Sequence, residues 1–206
     1  MIIKVCGLRD VSNIREVVDL GVDMIGLNFY KPSPRYVELD SDSIGALADV
    51  KVSKVGVFVN EEVEEVLKLT SMYGLDFVQL HGNESQSEVE QLSKHVDVIR
   101  VVGVETDRDL QKASENVGEK YVLFDKKSPL YGGTGIKFDW ELLNFYQGEV
   151  PFLLAGGIGP NDITSFQAIE NKLFAGVDLN SKFEIGPANK DIDLLQVFIK
   201  QLKLER

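Results

Sequence analysis

Eight short runs rich in Val, Ile, Leu and Phe recur along the chain: IIKVC (2–6), MIGLNF (24–29), VGVFV (55–59), FVQLH (77–81), DVIRVVGV (97–104), YVLFD (121–125), PFLLAG (151–156) and FAGVDL (174–179). Most are strand-length and nearly continuously apolar, the pattern of parallel strands packed on both faces. Segments of helical period lie between them. In DVSNIREVVDL (10–20), Ile14, Val17, Val18 and Leu20 share a face, with Asp10 or Ser12 as the cap and Gly21 as the stop. EEVEEVLKLTSMY (61–73) carries acids in its first turn and ends at Gly74. Similar patterns predict helices over 85–96, 107–117, 139–146, 160–169 and 191–203, and a weaker one over 41–50, where Gly45 lies inside.

Strict alternation of strand and helix implies parallel strands joined by right-handed crossovers. Eight units admit an open doubly wound sheet or a closed (β/α)8 barrel of the TIM type. The α/β barrel is the expectation, because it uses all eight and leaves no exposed edge. No Pro- or Ser-rich linker divides residues 1–206, which therefore read as one domain. Such barrels typically have about 250 residues. With 206, this chain is near the minimum, so any loop kept long is a suspect. The surplus falls in KPSPRYVELD (31–40) and KKSPLYGGTGIKF (126–138), after the second and sixth strands. Both follow strand carboxyl ends, the face where barrel enzymes place their sites. The two loops share a Lys-x-Ser-Pro-x-Tyr pattern, compatible with half-barrel duplication or with chance.

The charge balance, 22 Lys and Arg against 33 Asp and Glu, gives a net charge of −11. That argues against nucleic acid as a partner, which needs clustered cations to neutralise phosphates. An anionic ligand would need a local positive site. With 44% hydrophobic residues the chain can build a substantial core, yet no apolar run approaches the roughly 20 residues of a membrane span. One cysteine cannot form an internal disulfide, and MIIKVCG lacks the features of a secretory signal, so the expected setting is cytoplasmic, with no membrane partner.

Cys6 ends the first strand before Gly7, where its thiol could reach the catalytic face or be inert core. Lys4 shares its strand face and could lower the thiol pKa toward neutrality, or form a structural ion pair inside the barrel. Asp125 ends the sixth strand; it could bond loop amides or, if partly buried, act as a general acid. GGTG (132–135), AGGIG (155–159) and the turn after VDLNS (177–181) offer flexible backbone near strand ends, where barrels bind phosphate with amides and a helix amino end. Arg35 could clamp a carboxylate bidentately or lie on the surface. His81, ending the fourth strand, lines a pocket or is structural, and His95 ends a helix. No spaced His, Cys and carboxylate cluster argues for a metal.

KVCGLRD (4–10), NFYKPSPRYV (28–37), VQLHG (78–82), LFD (123–125), GGTGIKFDW (132–140), LAGGIGPNDI (154–163) and the segment from Gly176 to Glu184 together resemble the phosphoribosylanthranilate isomerase family of tryptophan biosynthesis. The resemblance runs through nearly the whole chain. It implies an Amadori rearrangement of N-(5-phosphoribosyl)anthranilate to 1-(2-carboxyphenylamino)-1-deoxyribulose 5-phosphate, with neither cofactor nor metal and a small-molecule substrate as partner. In that frame Asp125 is the general acid that opens the furanose and Cys6 the general base at C2. Arg35 holds the anthranilate carboxylate. Backbone at Gly133, Gly135, Gly156, Gly157 and Ser181 holds the phosphate, and His81 and Asp178 line the pocket. Asp178 could contact ribose hydroxyls or the amine, or pair with Lys4. The expected assembly is a monomer or homodimer.

One departure concerns the last loop. Where the family reads Ser-Gly-Val-Glu and then Pro-Gly-x-Lys-Asp, this chain has SKFE (181–184) and GPANKD (186–191), so Lys182 replaces a glycine beside the phosphate position. Its charge could hold phosphate or point to solvent. The alternatives are another sugar-phosphate isomerase or epimerase barrel, which leaves a carboxylate-binding Arg35 unexplained, and a non-catalytic phosphate-ligand barrel, against which both proton-transfer residues argue.

Overall fold

The computed structural model describes residues 1–111, 113–115, 118–127 and 137–204. Its strands are β1 (Ile2–Leu8), β2 (Met24–Asn28), β3 (Ser53–Phe58), β4 (Phe77–Leu80), β5 (Asp97–Val104), β6 (Tyr121–Lys126), β7 (Phe152–Leu154) and β8 (Phe174–Leu179). All eight run parallel in sequential order, and β8 closes on β1 through Ile2 opposite Gly176 and Lys4 opposite Asp178. The ring is therefore the closed barrel expected from the eight apolar runs.

Around it lie α1 (Val11–Asp19), α2 (Ser41–Ala48), α3 (Val63–Tyr73), α4 (Gln86–Leu92), α5 (Asp107–Gln111) and, after β8, α6 (Ile192–Leu204). Asp10 is the cap of α1, its carboxylate accepting from the amides of Ser12 and Asn13. Ser85 and Glu88 form a reciprocal capping box on α4. Gly74 ends α3 in the left-handed region. Gly45 does not prevent α2, which Asp40 caps.

The sixth and seventh crossovers differ from expectation. Trp140–Phe145 and Ile163–Ala168 are 3₁₀ helices instead of α-helices. Six residues of 3₁₀ helix reach about 12 Å, against about 9 Å for an α-helix, which suits crossovers this short. Their ends are tied together by side chains: Asn144 donates to the Ala168 carbonyl, and Asn171 to those of Leu143 and Tyr146. A further element outside the expected pattern, an antiparallel hairpin of β9 (Glu184–Gly186) and β10 (Asn189–Lys190), lies between β8 and α6.

Two apolar layers hold the barrel. One lies between strands and helices. The other fills the interior with Met24, Val55, Phe77, Ile99, Leu123, Leu153 and Ala155, against which Ile2, Val101 and Tyr121 pack. Because interior positions recur every second residue, moving up the strands changes the filling. Ile2 gives way to Lys4 and Cys6 on β1, Phe77 to Gln79 on β4 and then to His81, and Leu123 to Asp125 on β6. An apolar plug at the amino end thus underlies a polar chamber at the carboxyl end.

Candidate active site

Cys6 and Lys4 enter this chamber from β1. Lys4 is fully buried and its Nζ stands 2.8 Å from Asp178 Oδ2, a structural ion pair inside the barrel. Burial disfavours the ammonium, but Asp178 and Cys6 outweigh it and hold Lys4 above its ordinary pKa. Asp178 Oδ1 is buried without a hydrogen-bond partner among the described residues. The Cys6 thiol sits over Gly26 of β2; a Cβ there would stand 2.6 Å from Sγ, so only glycine leaves the thiol its place.

One expectation is corrected here. The Cys6 thiol is not drawn toward neutrality by Lys4 but pushed above its ordinary value. Burial is the largest influence, and Asp178 also opposes the thiolate, so the opposing effects of Lys4 and Lys190 do not prevail.

Asp125 faces the chamber from β6, three strands from β1 around the ring. Burial pushes its carboxyl up to about 6, against the opposing hydrogen bond from the Lys126 amide to Oδ1 at 2.7 Å. Oδ2 lies 3.5 Å from His81 Nε2. Burial and the nearby Lys4 lower the imidazole to about 4, so His81 is neutral at physiological pH. A carboxyl that titrates near 6 is still partly protonated close to neutrality and can serve as a general acid. From the seventh loop, Gly156 leaves no room for a side chain beside the Asp125 carboxylate, and at φ +83° its backbone is one that glycine adopts most readily.

Arg35 reaches the same mouth on the loop after β2. That loop folds back on its strand, the Val37 amide donating to the Asn28 carbonyl at 2.8 Å. The arginine stem crosses Gly7, where a Cβ would meet Cδ at 2.5 Å. Its Nε and Nη2 donate to Glu184 at 2.6–3.1 Å. Glu184 also accepts from the buried Lys190 Nζ at 2.6 Å, and Lys190 donates to Asn180 Oδ1. Arg35 is thus held by one edge of its guanidinium, and the edge carrying Nη1 makes no hydrogen bond to the described residues.

Gly157, at φ +73°, continues the seventh loop, and Ser181 opens a 3₁₀ turn, Ser181–Phe183, after β8. Lys182 is exposed, and its stem runs beside Gly159. Asp162 accepts from the Gly159 amide at 2.6 Å and pairs with Lys137, tying the end of the sixth loop to the seventh. Gly133 and Gly135 lie outside the described residues. The structure thus gathers Cys6, Asp125, His81, Asp178 and Arg35 at one mouth, with Gly156 against Asp125 and with Gly157 and Ser181 in the segments that follow β7 and β8.

Residues 3–201 match the family model described as N-(5′-phosphoribosyl)anthranilate (PRA) isomerase. The chain belongs to the N-(5′-phosphoribosyl)anthranilate isomerase family. The isomerase of Parabacteroides distasonis is 45% identical over 206 residues, 98% of this chain and 93% of that protein. The crystal structure of the Thermotoga maritima isomerase superposes with a TM-score of 0.86 at 34% identity, covering 98% of this chain and 99% of that one. A phosphoribosylanthranilate isomerase solved with reduced 1-(o-carboxyphenylamino)-1-deoxyribulose 5-phosphate is also similar, with a TM-score of 0.81 at 31% identity, over 98% of this chain and 99% of that one.

Four residues of this family member escaped the sequence reading. Gln79 carried a usable signal: it is a polar residue in an apolar strand, two positions before His81 and so on the same face. Gly26, within MIGLN, faces Cys6 across the β1–β2 register. Glu184 and Lys190 belong to the hairpin, whose short strands carry no apolar periodicity.

Proposed function

We propose that the chain isomerises N-(5′-phosphoribosyl)anthranilate to 1-(2-carboxyphenylamino)-1-deoxyribulose 5-phosphate, with Asp125 as general acid and Cys6 as general base. The observation that carries this reading is the placement of a carboxyl titrating near 6 and a thiol on well-separated walls of one polar chamber. Asp125 gives its proton to the furanose oxygen as the C1–O bond breaks, leaving an iminium. Cys6, as thiolate, then takes the C2 proton, which that iminium acidifies, and the enolamine tautomerises to the ketone. A raised thiol makes the thiolate scarce before substrate arrives and a stronger base once formed. The cationic intermediate beside it favours the thiolate.

Arg35 binds the anthranilate carboxylate through the guanidinium edge that Glu184 leaves free. Backbone at Gly156, Gly157 and Ser181, with Gly133 and Gly135, holds the phosphate, and His81 and Asp178 border the ribose. The reaction uses no cofactor or metal. The chain works in the cytoplasm as a monomer or homodimer; among the described residues no helix is long and apolar enough to cross a membrane.

The test is a coupled assay in which phosphoribosylanthranilate is generated in place and its fluorescence followed. Rapid loss of fluorescence on adding the purified chain is expected. Decay no faster than without protein would overturn the assignment.

A further inference from the structure

Gln79 stands in the polar chamber with no part in the proton transfers proposed above. Its side chain is 2% exposed, Nε2 lies 3.4 Å from His81 Nδ1, and Oε1 is buried without a hydrogen-bond partner among the described residues. His81 in turn places Nε2 3.5 Å from Asp125 Oδ2. The three side chains form a line from β4 to the acid. We propose that Gln79 is a positioning residue: by donating from Nε2 to His81 Nδ1, it holds the imidazole in the form protonated at Nε2, which donates to Asp125 and leaves the acid's own proton for the substrate. This rests on the reading of Asp125 as the acid.

A neutral imidazole carries one N–H, so the two ring nitrogens must differ in role. Were Nδ1 protonated, Nε2 would present a lone pair to Asp125. Facing the carboxylate, that lone pair would oppose an acceptor; facing the carboxylic acid, it would accept the O–H and withhold the proton from the ring oxygen. With Nε2 protonated, His81 donates to Oδ2 in both states of Asp125, more strongly once the carboxylate has formed. The amide orientation agrees. A buried carbonyl oxygen without a partner costs stability, so an Nδ1–H would draw Oε1 toward it. Gln79 turns its NH₂ to the ring, the arrangement that an acceptor at Nδ1 requires. Both contacts lie at the long end of hydrogen-bond distance, and catalytic hydrogen bonds often tighten only when substrate binds.

The chain has two histidines, so ¹⁵N spectra of the labelled protein near neutral pH report two rings. His81 is expected to be protonated at Nε2. Gln79→Met should move it toward a mixture of both forms and lower kcat about tenfold, the scale of one hydrogen bond, with KM little changed. Because Gln79 acts through His81, Gln79→Met should cost almost nothing further in a His81→Asn background. Protonation of wild-type His81 at Nδ1 would overturn the inference, as would additive losses in the double variant. The wild-type spectrum decides even where Gln79→Met does not fold. An inactive wild-type chain would remove the acid role itself; an active one with Nδ1 protonated would overturn this inference alone.

Discussion

Gly156 approaches Asp125 so closely that a Cβ on the glycine would stand 2.8 Å from the carboxylate Oδ1 and 2.9 Å from the Lys126 amide that donates to it. The seventh loop is thereby built around Asp125. Gly156→Ala should disturb both the carboxylate and its hydrogen bond, and it also places a side chain on backbone at φ +83°. We expect a loss of at least about 1 kcal/mol in stability, together with a kcat decrease of about tenfold or more. Chemical denaturation and steady-state kinetics on the same variant check both.

Asp125 is expected to oppose folding at the pH where it serves catalysis. Its carboxyl titrates near 6 in the folded chain against an ordinary value of 3.8, so the folded chain holds that proton more tightly. The contribution favours folding below about pH 4 and is lost as pH rises through about 6. Asp125→Asn should therefore stabilise the fold by about 1–3 kcal/mol at pH 8, a gain that shrinks as pH falls toward 4. The same variant should lose at least about two orders of magnitude in kcat. Denaturation curves at several pH values test the stability, and the fluorescence assay tests the rate.

Arg35 and Glu184 should act as a unit in substrate binding. Arg35→Met removes the clamp and should raise KM by about tenfold or more with a smaller change in kcat. Glu184→Gln weakens the grip on Nε and Nη2 and frees the guanidinium to swing, so it should raise KM in the same direction while an amide oxygen still accepts from Lys190. Unchanged KM values in both variants would contradict the clamp.

Gly45 illustrates an economy unrelated to catalysis. It lies inside α2, exposed, with nothing within 4 Å of where a Cβ would be. Gly45→Ala should stabilise the fold by about 0.5–1 kcal/mol and leave the isomerase rate unchanged, as thermal melts and the same assay would show.

The parts of this molecule legible in its sequence are those set by short periodicities. The eight apolar runs place the strands, and a period of two puts Lys4 with Cys6 on one wall and leaves Asp125 at a strand end. The Lys4–Asp178 pair was within reach because a closed barrel makes the first and last strands neighbours. What escaped depends on distance in space. Glu184 meets Arg35 across 149 positions of chain, from a hairpin whose strands are too short to show a pattern. The Cys6 thiol depends on a contest between burial and surrounding charges that composition does not weigh. Over six residues, the periods of 3₁₀ and α-helix are hardly distinguishable, so the patterns over 139–146 and 160–169 predict α-helices where the structure has 3₁₀ helices.

Cys6, as the base at C2, carries the central step of the proposed isomerisation. Its single-turnover rate in the Cys6→Ser variant, measured with enzyme in excess and with folding verified by circular dichroism, isolates the chemical steps from product release. The prediction is a fall of at least about two orders of magnitude, with substrate affinity preserved, because serine fills the same space but its hydroxyl does not ionise near neutrality. A Cys6→Ser chain that turns over at the wild-type rate would contradict it.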